Sequence, residues 1–193
     1  MIRRLYDFTI SLSIHPRAIW ALAIISFIES SIFPIPPDVL IIAMVIAAPT
    51  QAWRIAAVAS VASVLGGYAG YGIGYFLYET VGRAIVAFYG YEAQFESFRG
   101  LYEEWGFWIV AGAGFTPFPY KVITIASGAA NLDIWTFGVA SAVSRSARFF
   151  LVAALLWKFG APIRYFVERY LNLLTVVFFV LLIGGFVAIK YMF

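Results

Sequence analysis

The sequence predicts an all-α, polytopic membrane protein. Two opposed re-entrant helical hairpins form an inverted repeat, together with about three full transmembrane spans and interfacial amphipathic helices. The first observation is composition: 63% of the 193 residues are hydrophobic and 12% are charged, whereas soluble proteins average about 45–50% and about 25%. The second is that apolar stretches recur from end to end, which predicts a single domain over residues 1–193. The third is a proline-rich interruption that occurs in two of these stretches.

Three stretches are long enough to cross a bilayer, whose hydrocarbon core requires about 20 apolar residues in a helix. They lie at residues 54–78, 134–157 and 170–190. Aromatic residues near their ends suit the membrane interface. The middle stretch carries Arg145 and Arg148 in its interior, so we expect it to have a function besides crossing the membrane.

Two further apolar segments are broken by prolines. They lie at 18–48 and 105–131, with the breaks at Pro34 and Pro36 and at Pro117 and Pro119. Proline removes a backbone donor and clashes with the preceding turn, so a straight helix cannot continue through either break. Broken backbone at membrane depth is tolerated only where protein or a water-filled cavity satisfies its polar groups. Both segments are therefore predicted to be re-entrant hairpins.

The two breaks share one pattern, Pro-x-Pro-x-charge, and each is followed 18 or 19 residues later by a tryptophan that opens a long span. Because one full span separates the two units, the hairpins should enter from opposite faces. This broken-helix inverted repeat is typical of secondary transporters. Interfacial helices are predicted at 1–17 and 85–104, where apolar residues recur on one helical face.

Composition also excludes several classes of function. The chain has no cysteine, and His15 is its one histidine, so thiolate sites, histidine-based metal sites and a serine–histidine relay lack their usual groups. We expect no metal, no cofactor and no enzymatic activity. The net charge of +3 provides no basic stripe for nucleic acid. Seven basic residues on one side against three on the other place the amino terminus in the cytoplasm.

Two carboxylates lie in the first broken segment. Glu29 ends an eleven-residue apolar run and should lie about 16 Å deep. A buried carboxylate is costly unless it is paired or protonated, so Glu29 is predicted to carry a proton or to pair with a cation; the alternative is a cap on free backbone groups at the hairpin tip. Asp38 has the same two interpretations, because an acid also suits the first turn of a half-helix.

Three cations are predicted to bind a phosphate group. Lys121 follows the second break, where a cation faces the positive end of the half-helix dipole and so favours a bound anion; the alternative is a side chain that extends to water. Arg145 and Arg148 lie on one helix face and suit bidentate phosphate contacts. Their alternative is internal ion pairing with Glu29 and Asp38.

Small and capping residues indicate helix packing and helix ends. Gly66, Gly70 and Gly74 recur every four residues, which predicts that another helix approaches closely there. Asp133 is predicted to cap the amino terminus of the span that follows it. Asn131 is predicted to end the preceding half-helix.

Three motifs, in order, resemble the DedA family, also called VTT-domain or SNARE-associated-domain proteins, and specifically its short YqaA-like branch. They are residues 29–38 (ESSIFPIPPD), residues 66–75 (GGYAGYGIGY), and residues 114–121 (GFTPFPYK) followed by 126–128 (ASG). The resemblance implies opposed re-entrant hairpins in a prokaryotic plasma membrane and movement of phospholipids or polyprenyl phosphates between leaflets, with proton coupling. It assigns the acidic pair to Glu29 and Asp38 and the basic residue to Lys121. Many members carry an arginine where this chain has Gly114.

The sequence thus predicts a lipid flippase or scramblase whose partners are membrane lipids and protons, without nucleic acid; a homo-oligomer is compatible with it. Glu29 and Asp38 would exchange protons, and Lys121, Arg145 and Arg148 would bind phosphate. Two alternatives stay open. One is a lipid-pyrophosphate phosphatase, suggested by the element Ser-Arg-Ser at residues 144–146, and the other is a proton-coupled carrier of a small anion.

Overall fold

The structure is a computed structural model that describes residues 17–32, 37–116, 119–160 and 162. Within these ranges the chain is helical almost throughout and contains no β-strand, which confirms the all-helical prediction. The predicted span at 170–190 and residues 1–16 of the predicted interfacial helix lie outside the described residues.

Seven α-helices are described, and we number them in chain order. They are α1 (Ala18–Ser31), α2 (Asp38–Ala47), α3 (Ala52–Leu77), α4 (Arg83–Tyr89), α5 (Glu92–Phe115), α6 (Tyr120–Ala129) and α7 (Ile134–Gly160). A short 3₁₀ turn, Pro49–Gln51, leads into α3, and a wide π-helical turn, Tyr78–Gly82, joins α3 to α4.

Two helical stretches have the length and hydropathy needed to cross a membrane. One is the continuous run Pro49–Tyr89, which includes α3 and α4, and the other is α7. They contain the spans predicted at 54–78 and 134–157. The ring centroids of Trp53 at the start of α3 and Trp157 near the end of α7 are 6.0 Å apart, so the two helices run in opposite directions. Arg54 and Lys158 therefore lie at the same end, as predicted.

Residues 85–104, predicted as one interfacial helix, are divided differently. Gly90 has a φ of 67° and ends α4, because a left-handed residue after a helix satisfies its last carbonyl groups without a Cβ clash. Helix α5 then continues without interruption through the boundary expected at Trp105. Charged side chains on exposed faces do not interrupt backbone hydrogen bonding, so the polar and apolar halves of α5 form one helix.

Both proline-rich segments interrupt the helical backbone. Helix α1 ends at Ser31 and α2 begins at Asp38; α5 ends at Phe115 and α6 begins at Tyr120. Pro119 directly precedes α6, and Pro34, Pro36 and Pro117 lie outside the described residues. Helix α1 is about 21 Å long and α2 and α6 about 15 Å each, so none of the three could cross a hydrocarbon core of about 30 Å alone.

The buried side chains form two hydrophobic clusters with a polar layer between them. The first cluster joins α1 and α2 to the start of α3 and the end of α7. The second joins α5 and α6 to the end of α3 and the start of α7. Between them, both long helices contribute buried polar residues: Ser60 and Ser63 from α3, and Ser141, Ser144 and Arg145 from α7.

The predicted glycine face of α3 packs against α1 and α6. A Cβ at Gly66 would overlap the backbone carbonyl of Phe27 in α1, and one at Gly74 would overlap the carbonyl of Ile125 in α6. Gly70 lies against the Thr124 side chain between them. Because these contacts are with backbone or buried atoms, the close helix approach depends on the absence of side chains.

Candidate functional site

Arg145 is the centre of the polar layer. Its side chain is 4% exposed, and its Nη2 donates to Glu29 Oε2 at 2.7 Å. Its Nε donates to Ser63 Oγ at 2.6 Å. The rings of Tyr120 and Phe149 lie 4.8 and 4.7 Å from its guanidinium carbon, in the range of cation–π attraction. The guanidinium is thus held by an ion pair, a hydroxyl and two aromatic rings.

Arg148, one turn further along α7, links the two broken segments. Its Nη2 donates to Asp38 Oδ2 at 2.9 Å, at the start of α2. Its Nη1 donates to the carbonyl oxygen of Thr116 at 2.7 Å, at the end of α5. That carbonyl is among the last acceptors of a helix that has no further turn to bond with. One side chain therefore satisfies groups at both breaks.

The two breaks consequently meet at the same arginine pair. Glu29 and Asp38 flank the first break, and Thr116 and Tyr120 flank the second. The structure brings four of the predicted site residues together as two ion pairs, the arrangement expected as the alternative to free arginines. Whether these residues also bind phosphate and exchange protons stays a prediction.

The arginines lie halfway along α7. Trp135 precedes Arg145 by 10 residues and Trp157 follows it by 12, which corresponds to about 15 Å and about 18 Å along the helix axis. Tryptophan side chains favour the membrane interfaces. With α7 across the membrane, Arg145 would be close to the middle of the hydrocarbon layer.

Lys121 is separate from the ion pairs. It is partly buried in the first turn of α6, next to Tyr120. No hydrogen bond or ion pair of its ammonium group occurs among the described residues. Its predicted interaction with an anion is therefore left open by the geometry, whereas those of Arg145 and Arg148 must compete with carboxylates already in place.

Several hydroxyl groups complete the site, and sequence reasoning had not assigned those of Ser30, Ser63 and Tyr120 to it. Ser30 and Ser63 are 0% exposed and their Oγ atoms are 2.7 Å apart. Ser30 also donates to Glu29 Oε2 at 3.1 Å. Tyr120 donates to Ser141. A serine in an apolar helix commonly bonds to its own backbone, so a distinctive sequence signal for these contacts is lacking.

Gly114 is packed tightly. A Cβ at this position would overlap the Oγ of Ser144, the neighbour of Arg145 in α7. A side chain at residue 114 therefore has no room while α7 keeps this position. The arginine common in the resembled family is absent here, and α7 with its two arginines packs against the place instead.

Two predicted helix ends are confirmed. Asp133 Oδ2 accepts a hydrogen bond from the backbone N–H of Thr136 at 2.7 Å, and this bond lowers the pKa of the Asp133 carboxyl. Asn131 follows α6 with a φ of 58°, the left-handed conformation that ends a helix. Both residues lie outside the membrane-crossing helices.

The donor groups of these arginines suit a phosphate as well as a carboxylate. A phosphate oxygen offers guanidinium the same acceptor geometry as a carboxylate, so it could replace Glu29 or Asp38 if either became protonated.

Across the described ranges, no three acidic or histidine side chains converge in a way that could hold a metal ion.

Comparison with known proteins identifies the family. A family model of the VTT domain matches residues 35–158. An uncharacterized protein of Haemophilus influenzae is 41% identical over 168 residues, covering 85% of this chain and 87% of the relative. A second uncharacterized protein, from Histophilus somni, is 40% identical over 168 residues with the same coverage. No solved structure matches the chain. The chain therefore belongs to the VTT-domain (DedA) family of membrane proteins.

Proposed function

We propose that this protein is a flippase or scramblase that moves a phosphate-bearing lipid between the two leaflets of the membrane, without catalysing a chemical reaction. The observation that carries the proposal is the pair of guanidinium groups at the middle of an apolar helix, each bonded to a carboxylate beside a helix break. Membership of the VTT-domain family, which is generally associated with membrane transport or lipid-related function, supports it.

The charges explain how a headgroup would be accepted and released. Glu29 and Asp38 neutralise Arg145 and Arg148, so the resting ion pairs carry no net charge. Lys121 adds one positive charge in the first turn of α6. Protonation of a carboxylate would free a guanidinium for a phosphate. Loss of that proton would restore the ion pair and expel the phosphate, which couples lipid movement to protons.

The placement of the helices supports opposed re-entrant hairpins. Helices α1 and α2 pack with the Trp53 and Trp157 end of the long helices, whereas α5 and α6 pack with the Trp135 end. In our proposal each pair enters from its own face and turns back at the level of the arginines. The lipid tails would then stay in the bilayer while the headgroup occupies the layer between the two turns.

The experiment is leaflet exchange of a fluorescent phospholipid in vesicles containing the purified protein. We expect faster exchange than in empty vesicles, and loss of most of the gain in Arg145→Gln and Arg148→Gln. Arg83→Gln is the matched control, because Arg83 in α4 forms an exposed ion pair with Glu79 in the wide turn. A labelled diacylglycerol, which lacks phosphate, should not be accelerated.

Other outcomes would identify a different function. Release of phosphate from a lipid pyrophosphate would indicate a phosphatase, and uptake of free phosphate without lipid exchange would indicate a small-anion carrier. Absence of any acceleration, across several headgroups and pH values, would overturn the proposal.

The membrane topology can be tested in the same preparation, because the chain has no cysteine. Single cysteines at Thr50 and Lys158 should react with an impermeant thiol reagent from one face, and those at Tyr91 and Asn131 from the other. We propose that the first face is the cytoplasmic side of a prokaryotic plasma membrane. Labelling of Tyr91 and Asn131 from opposite faces would exclude the second re-entrant hairpin.

A further inference from the structure

We propose that Ser63 is a positioning residue that fixes the guanidinium of Arg145 independently of Glu29, so that the guanidinium stays in place for an anion when Glu29 is protonated. The inference deepens the proposed function and rests on it for the transported substrate, a phosphate-bearing headgroup. Its structural content, the role of one hydroxyl in holding one arginine, can be tested without transport.

Hydrogen bonds connect Arg145 to Glu29 by two routes. A serine hydroxyl has one hydrogen, and that of Ser30 points to Glu29 Oε2. The Oγ atoms of Ser30 and Ser63 are 2.7 Å apart, and Ser63 is the donor of this contact while the Ser30 hydrogen points to Glu29. Ser63 in turn accepts from Arg145 Nε. The bonds run from Arg145 through Ser63 and Ser30 to Glu29, while Arg145 Nη2 closes the ring by a direct bond to the same carboxylate oxygen.

Arg145 Nη2 also makes a long contact of 3.5 Å to Ser30 Oγ, and the two short bonds of Arg145 serve different purposes. The bond from Nη2 depends on the negative charge of Glu29, because it is one half of an ion pair. The bond from Nε to Ser63 depends on no charged acceptor. When Glu29 takes up a proton, the first bond weakens, and the second still holds the guanidinium between the rings of Tyr120 and Phe149. The Nη edge is then presented to a phosphate without reorganisation of the side chain.

Burial makes the Ser63 hydroxyl important for this position. Arg145 and Ser63 are almost entirely inaccessible to solvent, so water does not readily replace the lost acceptor. A buried donor left without a partner is costly, more so when the donor is charged. Without Ser63, the guanidinium should rotate towards another acceptor and lose the orientation that suits a headgroup.

The first measurement is nitrogen NMR of protein labelled at the arginine Nε atoms, in detergent micelles. The Arg145 signal is identified by its loss in Arg145→Lys. We expect Ser63→Ala to shift this signal and to speed its hydrogen exchange by about tenfold or more, the loss of one charged hydrogen bond. Ser63→Thr, which keeps the hydroxyl, should restore the wild-type signal.

Ser60→Ala is the matched control. Ser60 is buried in the same helix, one turn before Ser63, but it donates to the carbonyl of Ala56 in its own helix. Ser30→Ala gives a second variant should Ser63→Ala fail to fold, because it breaks the connection to Glu29 and leaves the bond from Arg145 Nε to Ser63. We expect it to retain slow exchange at Nε.

The second measurement is leaflet exchange at increasing concentration of the phosphate-bearing lipid. Ser63→Ala should raise the concentration for half-maximal rate by about tenfold, the effect of one charged hydrogen bond, with a smaller change in the maximal rate. An unchanged Arg145 signal in Ser63→Ala would overturn the inference whatever the transport result. A changed signal in a protein that moves no lipid would overturn the proposed function and leave the positioning role standing.

Discussion

The buried ion pair of Arg145 and Glu29 gives the sharpest test of the structure through stability. We consider Arg145→Met, which removes the charge and leaves a shorter, apolar side chain. Glu29 would then be a carboxylate with 17% of its side chain exposed and without its cation. Removing one partner of a buried pair costs about 3–5 kcal/mol of unfolding free energy, because the remaining charge is left uncompensated.

Two comparisons set the scale. The side chains of Arg148 and Asp38 are 21% and 25% exposed. Arg148→Met should therefore lower the free energy of unfolding by less than Arg145→Met does. Arg83 and Glu79 form an equally short pair of 2.9 Å, but their side chains are 64% and 37% exposed. A solvated pair four residues apart on a helix contributes about 0.3–0.5 kcal/mol. Arg83→Met is therefore the matched control.

The assay is reversible unfolding in mixed micelles of increasing denaturing detergent, followed by circular dichroism. The double variant Arg145→Met with Glu29→Gln should recover a large part of the loss, because it leaves neither charge buried alone. A coupling energy of about 0.5–3 kcal/mol is expected for residues in direct contact. If Arg145→Met costs no more than Arg83→Met, and the double variant recovers nothing, the ion pair does not exist as described.

Three further predictions use the same assay. Gly66→Ala should destabilise by about 1–3 kcal/mol, because its Cβ overlaps the Phe27 carbonyl, whereas Gly72→Ala, with open space around it, should be neutral or stabilising by up to about 1 kcal/mol. Ser26→Ala should stabilise by about 1 kcal/mol, since the buried Ser26 hydroxyl has no hydrogen-bond partner within the described ranges. The Asp133 pKa is lowered in the folded state, so its capping contribution is present above about pH 4 and is lost as pH falls through the folded pKa. Asp133→Ala should therefore lower the unfolding midpoint more at pH 7 than at pH 2.

Each of these has a result that contradicts it. Equal effects of the Gly66 and Gly72 substitutions would mean that α1 does not approach α3 closely. A loss of stability in Ser26→Ala would reveal a hydrogen bond from this hydroxyl. An Asp133→Ala effect of the same size at both pH values would show that the capping bond does not need the ionised carboxylate.

Local chemistry made much of the fold predictable from sequence. Proline removes a backbone donor and clashes with the preceding turn, and both interruptions were placed correctly from this local effect. Asn131 and Asp133 act through their own backbone neighbourhood, and both helix ends were found. The bounds near residues 78 and 104 were harder, because a helix that leaves an apolar environment need not end there. The wide turn Tyr78–Gly82 and the continuous helix α5 show this.

The site was predictable in its charges and less so in its connections. The cost of burying a charged side chain was enough to identify Arg145 and Glu29 as site residues. Their pairing with each other was one of two interpretations. Which carboxylate meets which arginine depends on how α7 packs against the breaks, information that is spread over the whole chain. The contribution of Ser63 was not found, because a buried serine has the same sequence appearance whether it bonds to its own helix or to a distant arginine.

The ion pairs have a consequence for biosynthesis, because Glu29 and Asp38 are made long before Arg145 and Arg148. Glu29 precedes its partner by 116 residues. At about 5–20 residues per second of translation, the acidic segment waits roughly 6 to 23 seconds before its cation has been made. During that interval its carboxylates must stay hydrated or protonated, so the first broken segment is expected to settle at its final depth only after α7 has left the ribosome.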